Sequence, residues 1–272
     1  MIPAAFDYQR AGSVDEALSL LSTHGDDAKL LAGGHSLLPL MKLRLATPSV
    51  LIDVGRLSEL SYIRDQGDHV AVGALTRHHD LQHSELLAAA LPVLAHVAGM
   101  VGDPQVRHRG TIGGSLAHGD PASDLPAVVL ALGGTLVARG PGGERTIGAT
   151  EFFQGFLETA LRPDEILTEV RVPKSPGGWG FQKFNRRAMD WAIVGVVAVT
   201  NGSPAVALVN MGSTPLRASA TEEALTGGAS VAEAASHAAD GLDPPGDLNA
   251  SPEYRRHLAT VLVRRALEEA TA

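Results

Sequence analysis

Thr111–Pro126 reads TIGGSLAHGDPASDLP. Gly113 and Gly114 sit between the hydroxyls of Thr111 and Ser115, and His118, Asp120 and Asp124 follow. A basic run, Arg107-His108-Arg109, precedes the stretch, and an apolar helical pattern, Ala127–Leu132, leaves it. Glycines have no Cβ, so a backbone can come close to a ligand, and successive N–H groups can then face an anion. One reading is a loop that grips a phosphate-bearing cofactor. The other is a tight surface loop closing a strand-to-helix turn. Short glycine motifs do not separate the two.

A second glycine pair lies upstream. Lys29–Ala32 is a short apolar run that ends in Gly33-Gly34, and Ser49–Val54 (SVLIDV) reads as a strand. Between them Ser36 is placed to cap a helix over Leu37–Leu45, with Pro39 tolerable in its first turn. The order is β-α-β, with AGGHS at the strand-to-helix junction. Free N–H groups at such a junction suit a diphosphate. The loop is neither GxGxxG nor a Walker sequence, so the common nucleotide fingerprints are absent.

The bulk composition narrows the function. The 272 residues are 44% hydrophobic and 19% charged, the balance of a folded protein with a substantial core. A net charge of −8 argues against nucleic acid as the main partner. There is no cysteine, so thiolate catalysis and cysteine-ligated clusters within this chain are excluded. No signal-peptide pattern and no run of about 20 apolar residues is present, and the expected compartment is the cytoplasm.

Other segments are read from local signals. Ser13–Glu16 (SVDE) is a capping box that starts a helix. His69–Ala74 alternates as a strand, and Thr76 and Ser84 are candidate N-caps. His78, His79 and His83 have no further ligand at a zinc-like spacing and are expected on a solvated face. Thr135–Arg139 and Arg145–Ala149 flank PGG as a hairpin, and Ile166–Val172 is a strand containing Leu167, a core residue on sequence grounds. Trp179–Phe184, Trp191–Thr200 and Ala205–Asn210 make an antiparallel sheet of about three strands, with Asn201-Gly202 as a hairpin signal. Ser251-Pro252 caps a last helix, on which Arg255, Arg256, Arg264 and Arg265 are expected on the solvated face.

Taken together, AGGHSLLPLMKLRLATPSVLIDVGRL, QVRHRGTIGGSLAHGDPASDLPA, LRPDEIL and FQKFNRRAMDWAIV resemble the FAD-binding medium subunit of molybdenum hydroxylases, the carbon monoxide dehydrogenase and xanthine dehydrogenase type. The resemblance implies an α+β chain with the two-subdomain FAD-binding fold of the PCMH/vanillyl-alcohol-oxidase type. A C-terminal domain with a three-stranded antiparallel sheet and helices follows. The implied division is 1–57, 58–172 and 173–272. Ala32, Gly33, Gly34, His35 and Ser36 would cradle the FAD diphosphate, mainly through N–H groups. Thr111, Ile112, Gly113, Gly114 and Ser115 would be the companion turn, also offering N–H groups. Asp124 would accept from ribityl or ribose hydroxyls, and Leu167 would pack on adenine or flavin. Lys183 would sit near the flavin ring. Trp191 would either stack on the ring or lie in the core.

The same resemblance implies a division of labour. A molybdenum large subunit oxidises the substrate, a small subunit carries two [2Fe–2S] clusters, and FAD on this chain passes electrons to an external acceptor. The missing cysteines agree with clusters on other chains. No residue here is nominated as a catalytic acid or base, and no metal site is expected. A stand-alone flavin oxidoreductase and a non-enzymatic protein-binding module stay open as alternatives.

Overall fold

Among the described residues three larger sheets follow one another along the chain, with a two-stranded ribbon, Phe153–Gly155 and Glu158–Thr159, beside them, and their order decides where the two glycine turns meet. The computed structural model describes residues 2–200 and 202–272. The first sheet is parallel, with Val50–Asp53 between Asp7–Arg10 and Ala28–Leu31. The helix Val14–His24 connects the outer two strands. Ser13 Oγ accepts from Glu16 N at 3.1 Å, the first bond of the capping box, and Glu16 Oε2 reaches one residue further back to accept from Gly12 N at 2.6 Å. The Asp7–Arg10 strand was not foreseen. Its residues, DYQR, are largely exposed and carry no apolar alternation, so pairing with Val50–Asp53 holds it. The helix after AGGHS spans only Leu37–Lys42, shorter than the pattern suggests. The Ser36 side chain caps nothing, and Arg44 takes a left-handed φ of +59° just beyond the helix.

The second sheet is antiparallel throughout, in the order Ile63–Asp65, His69–Gly73, Ile166–Pro173, Thr135–Gly140, Gly143–Gly148. Thr76 is not an N-cap: its hydroxyl exchanges hydrogen bonds with the Tyr62 backbone at 3.1 and 3.0 Å. Ser84 does cap, accepting from Leu87 N at 3.2 Å. The TIGGS stretch is not a loop but the start of a helix, Ile112–His118. Thr111 Oγ1 caps it by accepting from Gly114 N at 3.1 Å, and Gly119 ends it at φ +66°. Two consecutive glycines hide this helix from propensity. The capping bond and the packing of Ile112 and Leu116, both fully buried, outweigh them.

The third sheet has four strands, not three: Trp179–Phe184, Val194–Val199, Ala205–Val209 and Leu216–Arg217. The last strand holds two residues and adds an edge by pairing with Ala207 and Leu208. The expected hairpin tip includes Asn201, which lies outside the described residues. Every residue of Val194–Val199 and Ala205–Val209 is buried, because the sheet is covered on both faces. Val197, Val199 and Ala207 join the core around the second sheet, and Val194, Val196 and Val206 face the last helix, Pro252–Ala270. Gly180 lets that helix approach: a Cβ there would lie 2.0 Å from Ala266 O. Arg255 is a correction. It is 1% exposed, not solvated, and holds the carbonyls of Ile193 and Asn210 and the carboxylate of Asp247. Among the described residues, no helix is long and apolar enough to cross a membrane.

Candidate functional site

Both glycine turns line one cavity of about 720 Å³. The first turn ends the strand Ala28–Leu31, and the second opens the helix Ile112–His118. They touch backbone to backbone. A Cβ on Gly33 would lie 2.4 Å from Arg109 O and 3.0 Å from Gly110 Cα, so only a glycine fits. Gly34 adopts φ +81°, a conformation open to glycine without strain.

The two turns are unlike in their donors. Among the described residues, nothing accepts from the N–H groups of Gly33, Gly34, His35 or Ser36. In the second turn the four N–H groups from Ile112 to Ser115 are engaged. Ile112 N donates to Thr76 O at 3.0 Å, Gly113 N to Ala74 O at 2.8 Å and Ser115 N to Thr111 O at 3.0 Å, while Gly114 N donates to the Thr111 hydroxyl. The expectation of free N–H groups in the second turn therefore fails for Ile112–Ser115, while Thr111 N has no acceptor among the described residues. Segment Ala74–His78 takes the bonds from Ile112 N and Gly113 N and builds that wall from behind; His78 N also donates to Gly110 O at 3.1 Å. The Arg77 guanidinium spans the two lobes, donating to Gly55 O at 3.3 Å and to Arg109 O.

Of the residues singled out from the sequence, all but Ile112 line the cavity. Ile112 points into the core and is fully buried. Asp124, first in the helix Asp124–Ala131, and Lys183, on the strand Trp179–Phe184, meet at 2.7 Å, both side chains 5% exposed. Burial pushes the Asp124 carboxyl up, and the Lys183 ammonium beside it pulls the other way. Asp124 Oδ1 is buried and has no partner. Lys183 Nζ also donates to Met100 O at 3.3 Å. Leu167 is 6% exposed and borders the cavity. Trp191 is not core: it is 58% exposed at the rim.

Several lining residues were missed. Glu165 accepts both Arg145 Nε at 2.7 Å and Nη2 at 2.8 Å, plus Arg162 N at 2.8 Å, which fixes the turn before Ile166 and Leu167. The Arg145 bond holds its carboxyl below the usual range. His78, expected on a solvated face, is 2% exposed and lines the cavity. Its burial depends on the close approach of Gly110, a contact remote in sequence. His79 remains at the surface, stacked on His108 with ring centroids 4.0 Å apart. No group of side chains suited to a metal occurs among the described residues.

The family model for the FAD-binding domain in molybdopterin dehydrogenase matches residues 4–175, and that for the CO dehydrogenase flavoprotein C-terminal domain matches 179–270. The chain belongs to the FAD-binding medium subunits of molybdenum hydroxylases. The medium chain of carbon monoxide dehydrogenase from Hydrogenophaga pseudoflava is 44% identical, over 100% of this chain and 99% of that one. The medium chain from Afipia carboxidovorans is 40% identical, with the same coverage. A solved structure of carbon monoxide dehydrogenase from Hydrogenophaga pseudoflava superposes with a TM-score of 0.95 at 46% identity, covering 100% of this chain and 99% of that one. As a member of this family the medium subunit binds FAD and forms part of a molybdenum-dependent oxidoreductase. The α+β fold inferred from the sequence is that of the family, and its C-terminal sheet carries a fourth, edge strand.

Proposed function

We propose that this medium subunit collects electrons from [2Fe–2S] clusters on a small partner subunit. A molybdenum-bearing large subunit feeds those clusters, and an external acceptor receives the electrons from this chain. FAD, when bound, supplies the redox chemistry. The observation that carries the reading is the single cavity walled by both glycine turns, one of them with four unengaged N–H donors. Those donors suit a diphosphate. The orphaned Oδ1 of Asp124 suits a ligand hydroxyl, so the residues present fit FAD.

In this reading Gly33, Gly34, His35 and Ser36 hold the diphosphate, with Ala32 behind them. Thr111, Gly113 and Gly114 set the opposing wall. Asp124 accepts from a ribityl or ribose hydroxyl at Oδ1 while Lys183 holds its Oδ2. Leu167 packs on a ring, and Trp191 covers the flavin at the rim. Residues 1–57 and 58–172 form the two lobes around the cofactor, and 173–272 brings Lys183 and Trp191 to it. No cysteine is present to bind a cluster, so the clusters of this reading lie on another chain.

The test is reconstitution. The purified medium subunit should be yellow, and the substrate of the assembled enzyme should bleach it only with both partner subunits present. Bleaching by substrate with this chain alone would favour a stand-alone flavoenzyme and overturn the proposal.

A further inference from the structure

His78 opens the short helix His78–Gln82 and lies under Gly110, where a Cβ would stand 2.7 Å from the imidazole Cδ2. Its Nε2 is 3.2 Å from Ser115 Oγ, and its Nδ1 is buried without a partner. Burial first, then repulsion from Arg77, His35 and Arg107, pulls the imidazole down to about 4, so the ring is neutral at pH 7. A neutral imidazole carries one N–H. On Nδ1 that proton would be a buried donor with nothing to meet. On Nε2 it meets Ser115 Oγ, and only a lone pair goes unused, the cheaper arrangement. Ser115 Oγ is then an acceptor toward His78. Its own O–H must turn elsewhere, and among the described residues Oγ has no other partner. Ser115 lines the cavity.

We propose that His78 is a positioning residue that fixes the Ser115 hydroxyl as a hydrogen-bond donor to an anionic oxygen of the diphosphate in the cavity. The inference rests on the reading of that cavity as the FAD site. It gives the second turn a role that its backbone does not fill. The N–H groups of Ile112, Gly113, Gly114 and Ser115 are all engaged, so the side chain of Ser115 is a donor this wall still has free. An O–H directed at a phosphate oxygen makes a short, charge-assisted bond. A serine hydroxyl can turn either way, and the fixed Nε2–H removes that choice.

The experiment is FAD titration of the full-length chain after removal of its flavin. Ser115→Ala should weaken FAD roughly tenfold, the size of one hydrogen bond to a charged group. His78→Leu should weaken it by a similar factor. In the Ser115→Ala background His78→Leu should then cost nothing more, because the two act through one bond. His78→Gln, whose amide reaches where Nε2 does, should restore most of the affinity. ADP, as competitor, should lose affinity in the Ser115→Ala chain by the same factor as FAD.

Additive losses in the double variant would mean that His78 acts on the fold and not through Ser115, which overturns the proposal. Unchanged FAD affinity in Ser115→Ala would do the same. ADP competition unmoved by Ser115→Ala, with FAD weakened, would place the hydroxyl on another part of the ligand. Failure of the parent chain to bind FAD would overturn the site reading itself, a distinct outcome.

Discussion

Gly33 rests on the carbonyl of Arg109, and this contact between lobes closes the floor of the cavity. Any side chain at Gly33 must push the two turns apart. Gly33→Val should therefore reduce FAD affinity by about 1–3 kcal/mol, the range for overpacking. The flavin retained per chain after gel filtration checks this. Gly114 is a poorer probe. A Cβ there would lie 2.7 Å from Thr111 Oγ1, so a bulky residue would also break the helix cap.

The Asp124–Lys183 pair is buried on both sides and joins the helix Asp124–Ala131 to the strand Trp179–Phe184. Lys183→Met should strand a buried carboxylate and destabilise the flavin-free chain by about 3–5 kcal/mol. Replacing both, Asp124→Leu with Lys183→Met, should restore much of that stability while FAD affinity stays low. Urea unfolding measures the first effect and flavin titration the second.

His78 gives a pH dependence with a definite sign. Its folded pKa is about 4 against an ordinary 6.5, so between these values the unfolded chain binds a proton that the folded chain refuses. Stability is complete above about pH 6.5, falls as pH drops toward about 4, and is flat below that. The loss attributable to this ring is on the order of 3 kcal/mol. Across this range the urea midpoint of the parent should fall relative to that of His78→Gln as the pH drops. A constant difference would contradict it.

Arg255 anchors the last helix to the segment after Trp191. Removing it leaves the carbonyls of Ile193 and Asn210 without their donor in the interior. Arg255→Leu should cost about 2–4 kcal/mol, whereas Arg264→Leu should change little. Thermal unfolding separates them. Arg264 is 59% exposed, and its pair with Glu268 is a surface one.

The legible parts of this chain are those that local chemistry determines. SVDE announced its helix, and Trp179–Phe184 was read at its observed bounds, because both signals lie within a few residues. The two glycine pairs were readable as places of close backbone approach. What the backbone approaches was not. Gly33 sits on Arg109, and Gly113 would meet Ala74 within 2.5 Å. The buried state of His78 and Arg255 was hidden for the same reason. Their partners, Ser115 and Gly110 in one case and Ile193 and Asn210 in the other, come from distant segments. A histidine in HHD and an arginine in YRRH carry no local mark of burial.

The unequal engagement of the two turns has a consequence for how the empty protein moves. Amides of Ile112–Ser115 are locked into the chain before any cofactor arrives, and those of Gly33–Ser36 are not. Deuterium should therefore enter the Gly33–Ser36 segment quickly in the flavin-free chain and slowly once FAD is present, while Ile112–Ser115 barely responds. Loading would then resemble a hand closing against a fixed jaw.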